Sequence, residues 1–270
     1  MCHPRRFVCA FLISLLLILS AAAAAERPPH FSYPTKLINV ETGYLLSAES
    51  GRTKIGFGES GYGVSERVQL TTNTMLDAFS FLNAEVKLGL LFEERGRPAV
   101  AIGGGYYYLV AASYAAERIA KEVLSTEDEL ELDAGMDSWY LHISASKHLH
   151  ENVRFHVSYQ YRYISGHFDS DKPITLTSGD EELSVVASLD QSVYQRAFMS
   201  ALDADISNRA KLILELGYDS SYERVRGGAA IRLAATERFA IQVGILWPGI
   251  DLGDDFELPV IPNFTLFWRY

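Results

Sequence analysis

The chain ends on Ile261-Pro262-Asn263-Phe264-Thr265-Leu266-Phe267-Trp268-Arg269-Tyr270. Read in steps of two, Phe264, Leu266, Trp268 and Tyr270 share one face, while Asn263, Thr265 and Arg269 share the other. Side chains alternate across a β-strand, so a period of two with one apolar face reads as a strand with an apolar medium on one side. Phe267 alone breaks the alternation. A strand at a chain end leaves a row of backbone groups unpaired unless a neighbour takes them. The stretch therefore predicts a sheet into which it is stitched.

The same period recurs along the chain. In Val153 to Tyr163, Val153, Phe155, Val157, Tyr159, Tyr161 and Tyr163 face one way, and Arg154, His156, Ser158, Gln160 and Arg162 the other. Trp139, Leu141, Ile143 and Ala145 oppose Tyr140, His142, Ser144, Ser146 and His148. Leu212, Leu214, Leu216 and Tyr218 oppose Lys211, Glu215 and Asp219; Val225, Ala229, Ile231 and Leu233 oppose Arg224, Arg226 and Arg232. In a soluble sandwich the apolar face meets another sheet, whereas in a membrane barrel it meets lipid and the polar face lines the lumen. Short polar turns recur as Ser65-Glu66-Arg67-Val68, His150-Glu151-Asn152-Val153, Ser207-Asn208-Arg209-Ala210 and Thr236-Glu237-Arg238-Phe239, with Glu93 to Arg97 beside them. They alternate with longer links at 113–136, 166–191 and 248–259, and with shorter ones near 48–51, 74–78 and 220–223.

This spacing predicts strands near 38–47, 52–59, 67–73, 79–92, 98–112, 137–148, 153–165, 192–206, 210–219, 224–234, 239–247 and 261–270. An all-β, transmembrane, antiparallel up-and-down barrel of about twelve strands accounts for an even count, short turns at one end and long loops at the other. The first three spans alternate least clearly, and ten strands is the alternative. The C-terminal stretch resembles the assembly signal of Gram-negative outer-membrane β-barrel proteins. That signal normally ends in Phe, and Tyr270 stands in its place. The resemblance assigns Phe264, Leu266, Trp268 and Tyr270 to the signal and implies the barrel-assembly machinery as a partner during biogenesis. Outer-membrane lipids and lipopolysaccharide would then be the surroundings.

At the other end, Arg5 and Arg6 precede an apolar run from Phe7 to Leu19, followed by Ser20 and Ala21 to Ala25. This reads as a cleaved secretory signal over 1–25, too short to span a bilayer comfortably as a helix. A short periplasmic segment, 26–36, and a barrel over 37–270 would follow. Both cysteines, Cys2 and Cys9, lie in the signal, so the mature chain has neither a disulfide framework nor a thiolate metal site. The full chain's formal charge of -10, which loss of Arg5 and Arg6 makes more negative still, argues against nucleic acid as a partner. Fifteen tyrosines and 14 phenylalanines supply the aromatic load that interfacial girdles require.

The long links concentrate acids, with formal charges of -5, -5 and -4 for 113–136, 166–191 and 248–259. Such a mouth draws cations, turns anions away, or simply keeps the loops soluble. Ala115, Ala116, Ile119, Ala120 and Val123 follow helical spacing, and predict a short helix capping the lumen. Glu127-Asp128-Glu129 lacks calcium-loop spacing, and no metal or other cofactor is expected. Gly56, Gly58, Gly61 and Gly63 include a G-x-G-x-x-G spacing, but no helix follows to receive a pyrophosphate. Gly103-Gly104-Gly105 sits inside a strand, where glycine permits a bend or the close approach of a lumen side chain.

His142-Ile143-Ser144 resembles the active-site element of outer-membrane phospholipase A and of the lipid A deacylase. That resemblance implies His142 as base and Ser144 as nucleophile. Ala145-Ser146 follows here where the phospholipase pattern has Asn-Gly, and the alternation turns the pair inward rather than toward lipid. No catalytic residues are therefore assigned, and an outer-membrane lipid hydrolase is the third reading. The lumen candidates are Lys54, Glu85, Lys87, His142, Arg154, His156, Arg162, Lys211, Glu215, Arg226, Arg232 and Arg269. Asp203 and Asp205 share an inward face with them, where pairing to lumen arginines is expected. Buried charges need partners, so these groups build either a closed polar interior or a path for a small, polar or anionic solute. A narrow passive channel is the first expectation, and a closed structural or surface-interaction barrel the second.

Overall fold

The computed structural model describes residues 34, 36–56, 59–73, 81–110, 132–170, 174–178, 181–185, 188–250 and 260–270. Its strands are β1 (Gly51–Gly56), β2 (Ser60–Ser65), β3 (Val68–Thr72), β4 (Phe81–Leu91), β5 (Ala99–Leu109), β6 (Leu132–His150) and β7 (Val153–Ser170). After them come β8 (Ile174–Ser178), β9 (Glu181–Val185), β10 (Ser188–Ser207), β11 (Ala210–Asp219), β12 (Arg224–Ala234), β13 (Phe239–Ile250) and β14 (Ile261–Arg269). Twelve of these close into one antiparallel barrel, and β8 and β9 form a separate hairpin between β7 and β10. Closure joins the two ends of the chain: β14 pairs with β1 from Arg52↔Arg269 to Gly56↔Thr265. Gly51 and Tyr270 exchange backbone hydrogen bonds at 3.0 and 3.1 Å. The C-terminal strand thus has a neighbour on each side, and the barrel sheet closes on itself.

Short turns gather at one end of the barrel, including Glu66-Arg67, Glu151-Asn152 and Asn208-Arg209. Several register shifts lie close to them, at Gly63/Ser65, His148/His150 and Asp205/Ser207. A bulge adds local twist, which helps a strand turn back at a barrel rim. The opposite, loop end is uneven. β6, β7 and β10 run for 19, 18 and 20 residues, whereas β4 and β5 stop at 11. Three adjacent strands therefore rise as a wall above their neighbours.

The outer surface is apolar around the circumference, with Leu88, Ile102, Leu141, Ile143, Phe198, Leu202, Leu214, Leu216, Val243 and Phe264 all exposed. An apolar belt of this extent does not suit water. It suits a bilayer, in which a closed barrel satisfies every backbone group that lipid cannot. The protein is a membrane-spanning β-barrel.

The expected count of twelve emerges from two departures that offset each other. Residues 38–47 form no strand, and the wall begins at Gly51 rather than near residue 37. Residues 60–65, expected to fall between strands, form β2. Gly56 accordingly lies in β1 and Gly61 and Gly63 in β2, and a further strand, β3, follows where a nucleotide site would need a helix. The expected helix within 113–136 falls mostly on residues outside those described, as does most of the 248–259 link.

Candidate functional site: a lumen closed by the chain itself

Alternation puts the expected charged residues inside. Lys54, Glu85, Lys87, His142, Arg154, His156, Lys211, Glu215 and Arg232 are buried, while Arg162, Arg226 and Arg269 are partly covered on inward positions. Along the wall, they pair with near neighbours. Arg154 Nε donates to Asp203 Oδ1 at 2.8 Å and its Nη2 to Asp205 Oδ1 at 2.7 Å. Lys211 joins the same two carboxylates, reaching Asp203 and lying 3.3 Å from Asp205. Glu85 takes Thr71 Oγ1 at 3.0 Å, His142 Nε2 at 2.9 Å and the Tyr140 hydroxyl. Arg232 donates twice to Gln242 Oε1, at 3.0 and 2.7 Å. Phe267, the break in the C-terminal alternation, points inward, buried against Ala234 and Ala240. The cations of Arg232 and Lys54 lie 4.5 and 5.2 Å from the centre of its ring. Gly103 explains how His142 fits: a Cβ there would lie 2.2 Å from His142 Nε2.

What fills the middle is residues 36–47, a finger folded inside the barrel. Lys36 and Glu41 bridge antiparallel, Leu37 N donates to Val40 O at 3.1 Å, and Thr42 Oγ1 donates to Pro34 O at 2.5 Å. The tip therefore doubles back on itself. At the tip, Glu215 of β11 accepts the N–H groups of Ile38 at 2.6 Å, Asn39 at 2.8 Å and Val40 at 3.2 Å. Successive N–H groups converging on one carboxylate make an anion nest, here occupied by the protein's own glutamate. Leu37, Ile38 and Val40 pack with Met199, Ala201, Ile213 and Ala230 in a small apolar cluster inside the lumen.

Other ties circle the barrel. Gln160 of β7 donates to Asn39 O at 3.2 Å, and Ser144 of β6 to Thr42 O at 2.7 Å. Gly43 N donates to Ser146 Oγ at 2.7 Å, and Leu46 N to Gln69 Oε1 of β3 at 2.8 Å. Lys36 pairs with Glu59, and Lys87 lies 3.3 Å from Glu41. Near the turn end, the Tyr44 hydroxyl donates to Glu93 Oε2 at 2.6 Å, and the same oxygen lies 2.7 Å from His148 Nδ1. Cavities flank the finger. One of about 310 Å³ meets it at Lys36, and one of about 430 Å³ meets it at Gly43 to Ser47.

The suspected His142–Ser144 pair separates: His142 turns to Glu85, and Ser144 to the Thr42 and Ala101 carbonyls. A different chain forms instead. Ser146 Oγ lies 2.7 Å from His156 Nδ1, and His156 Nε2 lies 3.2 Å from Asp203 Oδ1. An ionised Asp203 can only accept, which places the His156 proton on Nε2; Nδ1 then accepts the Ser146 hydroxyl proton, while Ser146 Oγ accepts from Gly43 N. Ser146, His156 and Asp203 stand in the order used for nucleophilic catalysis, but the serine is capped by the finger and the aspartate is shared with Arg154 and Lys211. The group works here as a latch on the finger. Glu41, Glu85 and His142 bring ligand-type atoms within 4.8 Å of one another. Two ammonium groups, Lys36 at 2.6 Å and Lys87, already hold Glu41, where a dication would have to sit.

The alternation located the wall residues, including Asp203 and Asp205, but not the finger that ties them together. Lys36, Glu41 and Tyr44 carried no local signal of their role, because their partners are distant in sequence.

The fold and site together define a membrane-spanning barrel plugged by its own amino-terminal segment. No family model and no curated protein matches the sequence. Among solved structures, the outer-membrane expressed OmpT of Vibrio cholerae shares 12% identity over 93% of this chain and 73% of that one, with a TM-score of 0.36. Ail, the attachment invasion locus protein of Yersinia pestis, shares 12% over 83% and 100%, at 0.28. The Pseudomonas putida toluene transporter TodX shares 8% over 82% and 78%, at 0.32. At these values the likeness carries no argument, and the fold rests on the strand pairing itself.

Proposed function

We propose that the chain is an outer-membrane channel for small polar or anionic solutes, held shut by the finger and opened when the finger leaves. The outer-membrane placement is supported by the C-terminal strand and the apolar belt, and the export signal expected over 1–25 accords with it. One observation carries the gating. The wall-to-wall bonds given above join strands that are adjacent or one removed, as Arg154 with Asp203 and Glu85 with His142, whereas the bonds given across the lumen run through residues 36–47. Withdrawing the finger therefore leaves a polar wall whose own pairs remain intact.

The test is single-channel conductance of residues 26–270 refolded in a planar bilayer, compared with the same chain lacking 36–47. A heat-sensitive gel shift establishes folding in both. Rare, brief steps from the full chain and sustained steps after deletion are expected. Arg154→Ala or Arg162→Ala should alter the ion preference. Silence from both folded proteins would sink the channel reading. A second reading is a permanently closed barrel that acts through its acidic loops, and the three N–H groups seated on Glu215 favour it.

A further inference from the structure

We propose that the outer face of β6, β7 and β10 carries a binding site for the headgroup of a phosphorylated glycolipid, with Arg196 as its phosphate ligand. Strand register places the residues in rows across these three strands. Asp137, Ser165 and Ser192 form one row. One step toward the membrane come Trp139, Tyr163 and Tyr194, then Leu141, Tyr161 and Arg196, then Ile143, Tyr159 and Phe198. The change from polar to aromatic occurs between the first two rows on all three strands at once. That line marks the boundary between water and lipid.

The aromatic rings below it form one continuous surface. Trp139 lies 5.4 Å from Tyr161 and 5.9 Å from Tyr163, and Tyr194 lies 5.0 Å from Tyr163 and 6.2 Å from Tyr161. Aromatic side chains at this level commonly anchor a barrel in the interface. Arg196 is what an anchor does not require. It is exposed on the lipid side between Tyr194 and Phe198, and its guanidinium lies 6.0 Å over the Tyr161 ring. Among the described residues, no carboxylate forms an ion pair with it. A charge facing lipid is tolerated near the interface and costly further in, and a long side chain reaches outward to the polar layer.

The anion available at that depth is a lipid phosphate, whose geometry the planar guanidinium matches with paired donors. The aromatic row just above offers flat faces to the sugar rings that a glycolipid carries and a glycerophospholipid such as phosphatidylglycerol does not. Above that row, the tall strands continue with polar residues facing outward, a backing for the rest of the headgroup.

The experiment titrates folded residues 26–270 in detergent with bisphosphorylated lipid A, its dephosphorylated form and phosphatidylglycerol, and reads bound lipid by native mass spectrometry. Bisphosphorylated lipid A should bind about tenfold more tightly than either of the others. Arg196→Gln should abolish the preference for phosphate, Arg196→Lys should retain most of it, and Arg238→Gln at the opposite end should leave it unchanged. Tyr194→Ala should narrow the gap between lipid A and phosphatidylglycerol. Equal binding of the phosphorylated and dephosphorylated forms by the unaltered protein would overturn the proposal, even if the Arg196 variants fail to fold. So would a phosphate preference that survives in folded Arg196→Gln. The measurement does not depend on conductance, so this site and the channel stand or fall separately.

Discussion

Replacing Glu215 with glutamine should free the tip of the finger while leaving the barrel standing. In the native protein one buried carboxylate takes three N–H groups, two of them at 2.6 and 2.8 Å and the third at 3.2 Å. A hydrogen bond to a charged group contributes about 1.5–3 kcal/mol, against about 0.5–1.5 kcal/mol for a neutral one. Glutamine keeps a single neutral acceptor and brings an amide with no acceptor waiting for it. The tip should thus lose about 2–4 kcal/mol of attachment, a shift of roughly 30- to 1,000-fold toward the released state. The β11 ladder to β10 and β12 is backbone pairing and is untouched. Because both cysteines precede residue 26, the refolded residues 26–270 contain none, and Val40→Cys, at a position with no exposed surface, makes a clean reporter. Its labelling by a small thiol reagent follows the open population when closing is fast. Labelling should accelerate by about 30-fold or more when Glu215→Gln is added. A thiol introduced by Ala240→Cys, buried among the wall residues Ala234 and Phe267 and away from the finger's cluster, should label no faster. An unchanged rate for the Val40→Cys reporter would refute the nest as the anchor, and equal acceleration at both sites would mean the wall had loosened instead.

Three further outcomes are expected. Asp203→Asn leaves Arg154 and Lys211 short of a shared buried partner, so unfolding should become easier by about 3–5 kcal/mol, read from denaturant titration of the gel shift. Gly103→Val would drive a side chain into His142 Nε2 and off Glu85; overpacking costs about 1–3 kcal/mol, so folding yield should drop, whereas Gly96→Ala, at a spot with open space, should fall only through its φ of 89°. At the turn end, burial pushes the Glu93 carboxyl upward, but hydrogen bonds from Tyr44 and from His148 outweigh it and hold it below the usual carboxylate range. A depressed carboxyl contributes stability above its unfolded value, near about 4.3, and loses it as pH falls through the folded value. Stability read from denaturant titration of the gel shift should therefore fall in acid below that point, and Glu93→Gln should remove that part of the pH dependence.

The wall was legible in the amino-acid order. In Val153 to Tyr163 each residue's face follows from strand geometry and the medium on either side, both readable from neighbours two apart. The same logic placed Arg154, His156, Asp203 and Lys211 together inside, because they share inward parity near one end of adjoining strands. The finger became visible only once the chain was folded. Ile38, Val40, Tyr44 and Leu46 alternate as a lipid-facing strand would, yet Ile38 and Val40 meet Met199 and Ile213 within the lumen. Apolar contact is non-directional, so alternation cannot tell lipid outside from side chains within. Ser60 to Ser65 misled the other way: its glycines suggested a link, while backbone pairing with β1 and β3 made it wall. Closure required that strand. With the wall complete from Gly51, the preceding residues were left to the space inside, where Glu215 offered their N–H groups an acceptor that lipid lacks.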